Sequence, residues 1–165
     1  MGVGSKSTIS DTFFGTLTDK ILDGVNRMIY ILSSSQPLGT IHKIVVVAPN
    51  GAEKESGFSQ WCHSVATIAS QSGAQLDIRC SEETFDAIKR NFRKSKDNIT
   101  PTFIKSLNFS IQEAVQSIEN DDLLIAVLAR RHSLSYTPAL ESVLPYLLEN
   151  LKNKNFIVLF PEQFK

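Results

Sequence analysis

Three short runs without a single polar side chain restrict what this sequence can fold into. They are residues 44–48 (Ile44, Val45, Val46, Val47, Ala48), residues 123–128 and residues 156–160. A strand with one wet face alternates apolar and polar residues. A run apolar at every position implies cover on both faces, as in a parallel sheet wrapped by helices.

The intervening segments have helical rather than strand periodicity. Phe58, Trp61, Cys62, Val65, Ile68 and Ala69 fall on one face of a helix that Gly73 can end. Residues 74–80 read as a second strand. Ser81 with Glu82 and Glu83 opens a helix striped by Phe85, Ile88 and Phe92, its acidic first turn suiting the helix dipole. Residues 93–100 form a basic, polar loop, and residues 102–109 a weaker strand. Ser110-Ile111-Gln112-Glu113 is a capping-box pattern, with Ile111, Ala114, Val115 and Ile118 inward. Leu140, Val143, Leu144, Leu147, Leu148 and Leu151 make the last stripe; Pro145 either kinks that helix or sits in its first turn. From Lys43 the order is β-α-β-α-β-α-β-α-β, an α/β fold with a parallel sheet and right-handed crossovers.

Before Lys43 the chain is less regular. Residues 1–10 read as a disordered lead-in. From Asp11 a helical pattern carries Phe14, Leu17, Ile21, Leu22 and Val25, followed by a short strand over residues 27–32 and a turn-rich linker over residues 33–40.

Composition narrows the function. The 165 residues hold 17 basic and 17 acidic side chains, so no net field favours nucleic acid or an anionic bilayer. No apolar run approaches the roughly 20 residues that span a bilayer, and no signal-peptide pattern opens the chain, so the expectation is a soluble, cytoplasmic polypeptide. Cys62 and Cys80 are too few for a disulfide framework and read as buried, reduced thiols.

In an open parallel sheet, ligands bind beyond the carboxyl ends of the strands, at the switch in strand order. Two segments take such positions: Ala48, Pro49 and Asn50 after the first strand, and Ala129, Arg130, Arg131, His132, Ser133 and Ser135 after the fourth. The second joins cations to hydroxyls ahead of a helix, chemistry suited to a phosphate or carboxylate, though a solvated basic turn has the same composition. No phosphate-cradling loop, glycine-rich dinucleotide turn or nucleophile elbow is present. Cys62 and His63 are not a catalytic pair, since adjacent helix positions point about 100° apart. Asp121-Asp122 reads as a solvated pair rather than a metal site.

Several segments together are similar to the universal stress protein family, and more narrowly to the second stress-protein-like module in the cytoplasmic tails of bacterial sodium/proton antiporters. They are Gln36-Pro37-Leu38, Val46-Val47-Ala48-Pro49, Ala52-Glu53 with Gly57-Phe58 and Trp61, Asp122-Leu123-Leu124, Ala129-Arg130-Arg131, Ser133 with Ser135-Tyr136, Asn155-Phe156-Ile157, and Pro161-Glu162-Gln163. The resemblance implies an adenine nucleotide alpha hydrolase-like three-layer sandwich over residues 41–165, with a five-stranded parallel sheet in the order 3-2-1-4-5. It makes residues 11–40 the closing helix and strand of a preceding module. Stress proteins of this kind pair through their final strands, so the strand near Met28 to Leu32 is expected on the edge formed by residues 156–160, within the chain or across a dimer; a helix and strand packed elsewhere is the alternative.

The implied role is a non-catalytic regulatory or dimerising domain with no required cofactor, sensing a nucleotide or other anion at most. Its partners would be the transmembrane antiporter domain, the preceding module and a second copy, at the cytoplasmic face of the inner membrane. Asn50 stands where nucleotide-binding members carry an acid, and Ala129-Arg130-Arg131-His132 lacks their glycines, which weakens the alternative of a free-standing nucleotide-binding stress protein. An enzyme acting on a phosphorylated small molecule lacks an identifiable base or nucleophile.

Overall fold

The computed structural model describes residues 29–33, 36–94, 99–106, 111–130, 133–151 and 153–162. The lead-in at residues 1–10, the helical pattern from Asp11 to Val25, the middle of the 93–100 loop, the Ser110 cap and the site candidates Arg131 and His132 lie outside the described residues.

Among the described residues, six strands form one sheet. They are β1 (Ile29–Ser33), β2 (Lys43–Val47), β3 (Gln75–Cys80), β4 (Thr102–Lys105), β5 (Asp122–Val127) and β6 (Asn155–Phe160), in the order β1-β6-β5-β2-β3-β4. Strands β2 to β6 are all parallel to their neighbours, so the five-strand core has the order 3-2-1-4-5 when counted from β2. Strand β1 joins it antiparallel on the outer edge of β6, with Ile29 opposite Phe160 and Ser33 opposite Phe156. The expected pairing thus occurs within the chain.

The apolar runs become strands covered on both faces. Successive side chains of a strand point to opposite sides, and two separate cores result. On one side Ile44, Val46, Ile78, Ile125 and Leu159 meet Trp61, Cys62, Val65 and Ile88 from helices α1 (Phe58–Ser72) and α2 (Glu82–Lys94). On the other, Val45, Val47, Leu124, Phe156 and Val158 meet Ile111, Leu144, Leu147 and Leu151 from α3 (Ile111–Ser117), α4 (Val143–Asn150) and the turn after it. All six residues of β5 and of β6 are buried. At about 1.5–3 kcal/mol per buried large aliphatic side chain, this two-sided burial is the main force holding the sheet.

Local signals set the helix ends. Gly73 closes α1 in the left-handed region at φ +70°, its N–H donating to Ala69 O at 3.0 Å. Ser81 caps α2 by accepting the Thr84 N–H at 3.3 Å. Pro145 stands in the first turn of α4, after a 3-10 turn over Pro138–Ser142, where a missing N–H breaks no bond. The strand expected over residues 102–109 is four residues long among those described.

One expectation is corrected. Asp121 is exposed, but Asp122 is buried, 3.6 Å from Lys43 Nζ, and its Oδ2 accepts the Glu119 N–H at 3.0 Å. The two acids differ because Asp122 is already the first residue of β5 and is buried there, where a carboxylate needs donors.

Candidate functional site

The carboxyl ends of β2, β5 and β6 converge at the switch in strand order, between β2 and β5. After β2 the chain turns sharply. Gly51 takes φ +81°, a conformation that costs other residues about 1–2 kcal/mol, and starts a 3-10 turn over Ala52–Lys54. Ala48 and Pro49 are buried, whereas Asn50 is exposed. The turn delivers Glu55, Ser56 and Gly57 to the end of β6. Ser56 Oγ donates to Glu162 O at 3.3 Å, and Gly57 packs directly on the Glu162 backbone.

After β5, Leu128 N–H donates to Leu159 O at 2.9 Å, carrying the sheet one residue further. Ala129 and Arg130 are buried. Burial lowers the basicity of the Arg130 guanidinium, and the Glu162 carboxylate opposes that shift by favouring the charged form. Ser133 spends its donors locally: its N–H and Oγ both donate to Arg130 O, at 3.1 and 2.6 Å. Ser135 is buried, and its N–H donates to Oε1 of Glu55 at 2.9 Å.

The candidates from the sequence therefore separate. Ala48, Pro49, Ala129 and Arg130 are buried, Asn50 is exposed, and Ser133 is engaged with its own turn. Ser135 contributes its backbone rather than its hydroxyl to the junction. Sequence reasoning passed over Glu55, Gly57 and Glu162 as members of this junction. Gly57 and Glu162 stand in motifs noted for other reasons, and Glu55 lies beyond the strand end in a polar turn, where nothing in its spacing separates it from a solvated acid.

A second polar group sits beside the end of β3. Thr84 Oγ1 donates to Glu53 Oε1 at 2.7 Å and accepts from Ser81 Oγ at 3.0 Å, tying α2 to the turn after β2. Arg79, one residue before the end of β3, is half-buried, and its Nε has no hydrogen-bond partner among the described residues. Among those residues no three His, Cys, Asp or Glu side chains gather into a metal site. His63 is exposed beside the buried Cys62, so the two do not act together. No described helix is long and apolar enough to cross a membrane.

The fold and this junction define an α/β domain with a five-stranded parallel sheet in the order 3-2-1-4-5, helices on both faces, and an extra antiparallel strand on the β6 edge. No family model and no curated protein matches the chain.

Proposed function

We propose that this chain is a non-catalytic cytoplasmic module of a bacterial cation/proton antiporter, regulatory or dimerising, with ion exchange carried by membrane helices of the parent protein. The observation that carries the reading is the antiparallel seat of β1 on β6. A segment that precedes the parallel sheet in the chain is hydrogen-bonded along its last strand, so a displacement of either is felt by the other. That is the mechanical requirement for a module that biases a transporter between two arrangements. Gln36 strengthens the link, its Oε1 accepting from Asn155 Nδ2 at 3.1 Å.

The motifs that resemble antiporter tails support the parent assignment. The loop after β5, where the resemblance puts a nucleotide's phosphates, has Ala129 and His132 in place of the two glycines and a protein carboxylate on its backbone. Both features favour coupling through the strand edge over nucleotide binding of the stress-protein kind. The partners are then the transmembrane domain, a preceding module and a second copy of the tail.

The test is cation-dependent proton exchange in everted vesicles, comparing a parent antiporter with the same protein deleted for residues 36–162. The reading predicts that exchange persists while its dependence on pH or cation concentration moves. Superimposable exchange curves, or exchange abolished in correctly inserted protein, would contradict it.

A further inference from the structure

Strand β4 (Thr102–Lys105) ends the sheet, and among the described residues only β3 pairs with it. The backbone groups of a strand in a ladder alternate between its two sides. Ser106 N–H donates to Cys80 O at 2.9 Å, so the N–H groups of Thr102 and Ile104 also face β3. Those of Phe103 and Lys105 point outward, away from the sheet. An edge that turns donors and acceptors outward is a template for one more strand.

The side chains set what kind of strand fits. Phe103, opposite Ile78 in the register, stacks on Phe85 of α2 with ring centroids 4.5 Å apart. Lys89 Nζ lies 5.2 Å from the centre of that Phe85 ring. Lys105, on the same face of β4 as Phe103, is exposed. The other face carries Arg79, the partner of Ile104 in the register. Arg79 Nε is buried and meets no acceptor among the described residues, and none of their carboxylates pairs with the side chain.

The nearby acids are engaged elsewhere. Asp77, two residues before Arg79 on the same face, accepts from Gln75 Nε2 at 2.9 Å. Asp86 offsets Lys89 at 3.7 Å. Lys105 and Arg79 are thus left as cations on opposite faces of one edge. A buried guanidinium N–H without an acceptor is costly. A strand added beyond β4 would lie about 10 Å from β3, and an arginine and a glutamate span that distance together.

We propose that the β4 edge binds an extended acidic segment of a partner protein as a further strand of the sheet. Its recognition unit is an apolar residue beside Phe103 and two adjacent acids, one reaching Arg79 across Ile104 and one facing Lys105. A second copy of the chain is a poor occupant, since its β4 brings cations to cations, and a short edge ending in lysine guards against such self-pairing. The inference goes beyond the antiporter reading, and neither falls with the other.

The experiment titrates the whole isotope-labelled chain with the capped peptide Thr-Val-Glu-Glu-Val-Thr, which presents the unit in either strand direction, and with its Lys-Lys counterpart. The amide resonances of Phe103 and Lys105 should move saturably with the acidic peptide and stay still with the basic one. Arg79→Gln, and Lys105→Gln at an exposed position that folding does not depend on, should each weaken the acidic peptide by about tenfold, the loss of one charge-assisted bond. Lys105→Pro should weaken it beyond Lys105→Gln, because proline removes an outward N–H and leaves the ladder to β3 intact. Shifts that are absent or shared by the basic peptide, unchanged affinity in the glutamine variants, or equal affinity in the proline and glutamine variants of Lys105 overturn the proposal. So does a sedimenting dimer whose β4 amides are protected, which would give the edge to a second copy.

Discussion

Gly57 lies so close to Glu162 that a Cβ on the glycine would stand 2.5 Å from both the backbone nitrogen and the carbonyl oxygen of Glu162. The contact joins the turn after β2 to the residue pair that follows β6. Its basis is space and not backbone conformation, since Gly57 has φ −87°.

Gly57→Ala should therefore destabilise the protein by about 1–3 kcal/mol, the cost of forcing extra volume against atoms that cannot rotate away. Gly39→Ala is the control, because a Cβ there meets nothing within 4 Å. Urea unfolding followed by the fluorescence of Trp61, the one tryptophan of the sequence and 1% exposed, reads both. Equal midpoints for the two variants would remove the contact from the account.

Asn155 is fully buried at the start of β6, and its Nδ2 donates to Gln36 Oε1, Asn120 O and Asp122 O at 3.1–3.2 Å. Truncation to alanine removes the donor from the buried Asp122 carbonyl and from the half-buried bond to Asn120 O. Asn155→Ala should lose about 1–3 kcal/mol. Gln36→Ala, removing one of the three acceptors at a less buried position, should lose less. A ranking in the reverse order would contradict the hydrogen-bond assignment.

The neighbouring acids at the start of β5 should behave unlike each other. Asp122→Ala removes the acceptor of the Glu119 N–H and the partner of Lys43, and should cost about 1–3 kcal/mol. Asp121→Ala, at an exposed position, should stay within about 0.5 kcal/mol of wild type. Denaturation midpoints that do not separate the two would mean Asp122 is solvated after all.

The two thiols give a pH dependence with a definite sign. Burial pushes Cys80 up to about 12, with a smaller upward push from Glu53. Cys62 is raised further, by burial first and by Cys80 second. In the unfolded chain both thiols ionise near about 8.5. Below that pH both states hold the protons and nothing changes. Above it the unfolded state binds fewer protons than the folded one, so stability falls as pH rises, by about 1.4 kcal/mol per pH unit for each thiol. Urea unfolding of wild type at pH 9, 10 and 11 should decline more steeply than that of Cys62→Ala or Cys80→Ala. Parallel curves would show that the thiols are solvated.

Most of the sheet was legible because its signal is redundant. Residues 44–48, 123–128 and 156–160 are apolar at every position, and burial on both faces is the only economical use of such runs. Helix α1 carried its stripe and its stop signal in the sequence, and α2 its stripe and its start signal, with Phe85, Ile88 and Phe92 buried as their spacing implied. The junction was less legible for a physical reason. The Glu55–Ser135 bond joins loops 80 residues apart, and it is made by a backbone N–H, which every residue except proline has. Composition placed cations and hydroxyls in the loop after β5, but it had no means of showing that Ser133 bonds within its own turn while Ser135 receives a carboxylate from another loop. Likewise Asp121 and Asp122 are identical letters, separated only by which of them the sheet includes.

The central claim is that β1 is a strand of this sheet and ties the segment before the domain to it. Amide hydrogen exchange over Ile29–Ser33 and Asn155–Phe160 in the whole chain tests that most directly. The β1 amides that face β6 should exchange more slowly than in free peptide by on the order of a thousandfold or more, and a proline replacing the bonded member of Tyr30 or Ile31 should release them. Exchange of Ile29–Ser33 at free-peptide rates, with β2, β5 and β6 still protected, would contradict the claim and with it the proposed coupling.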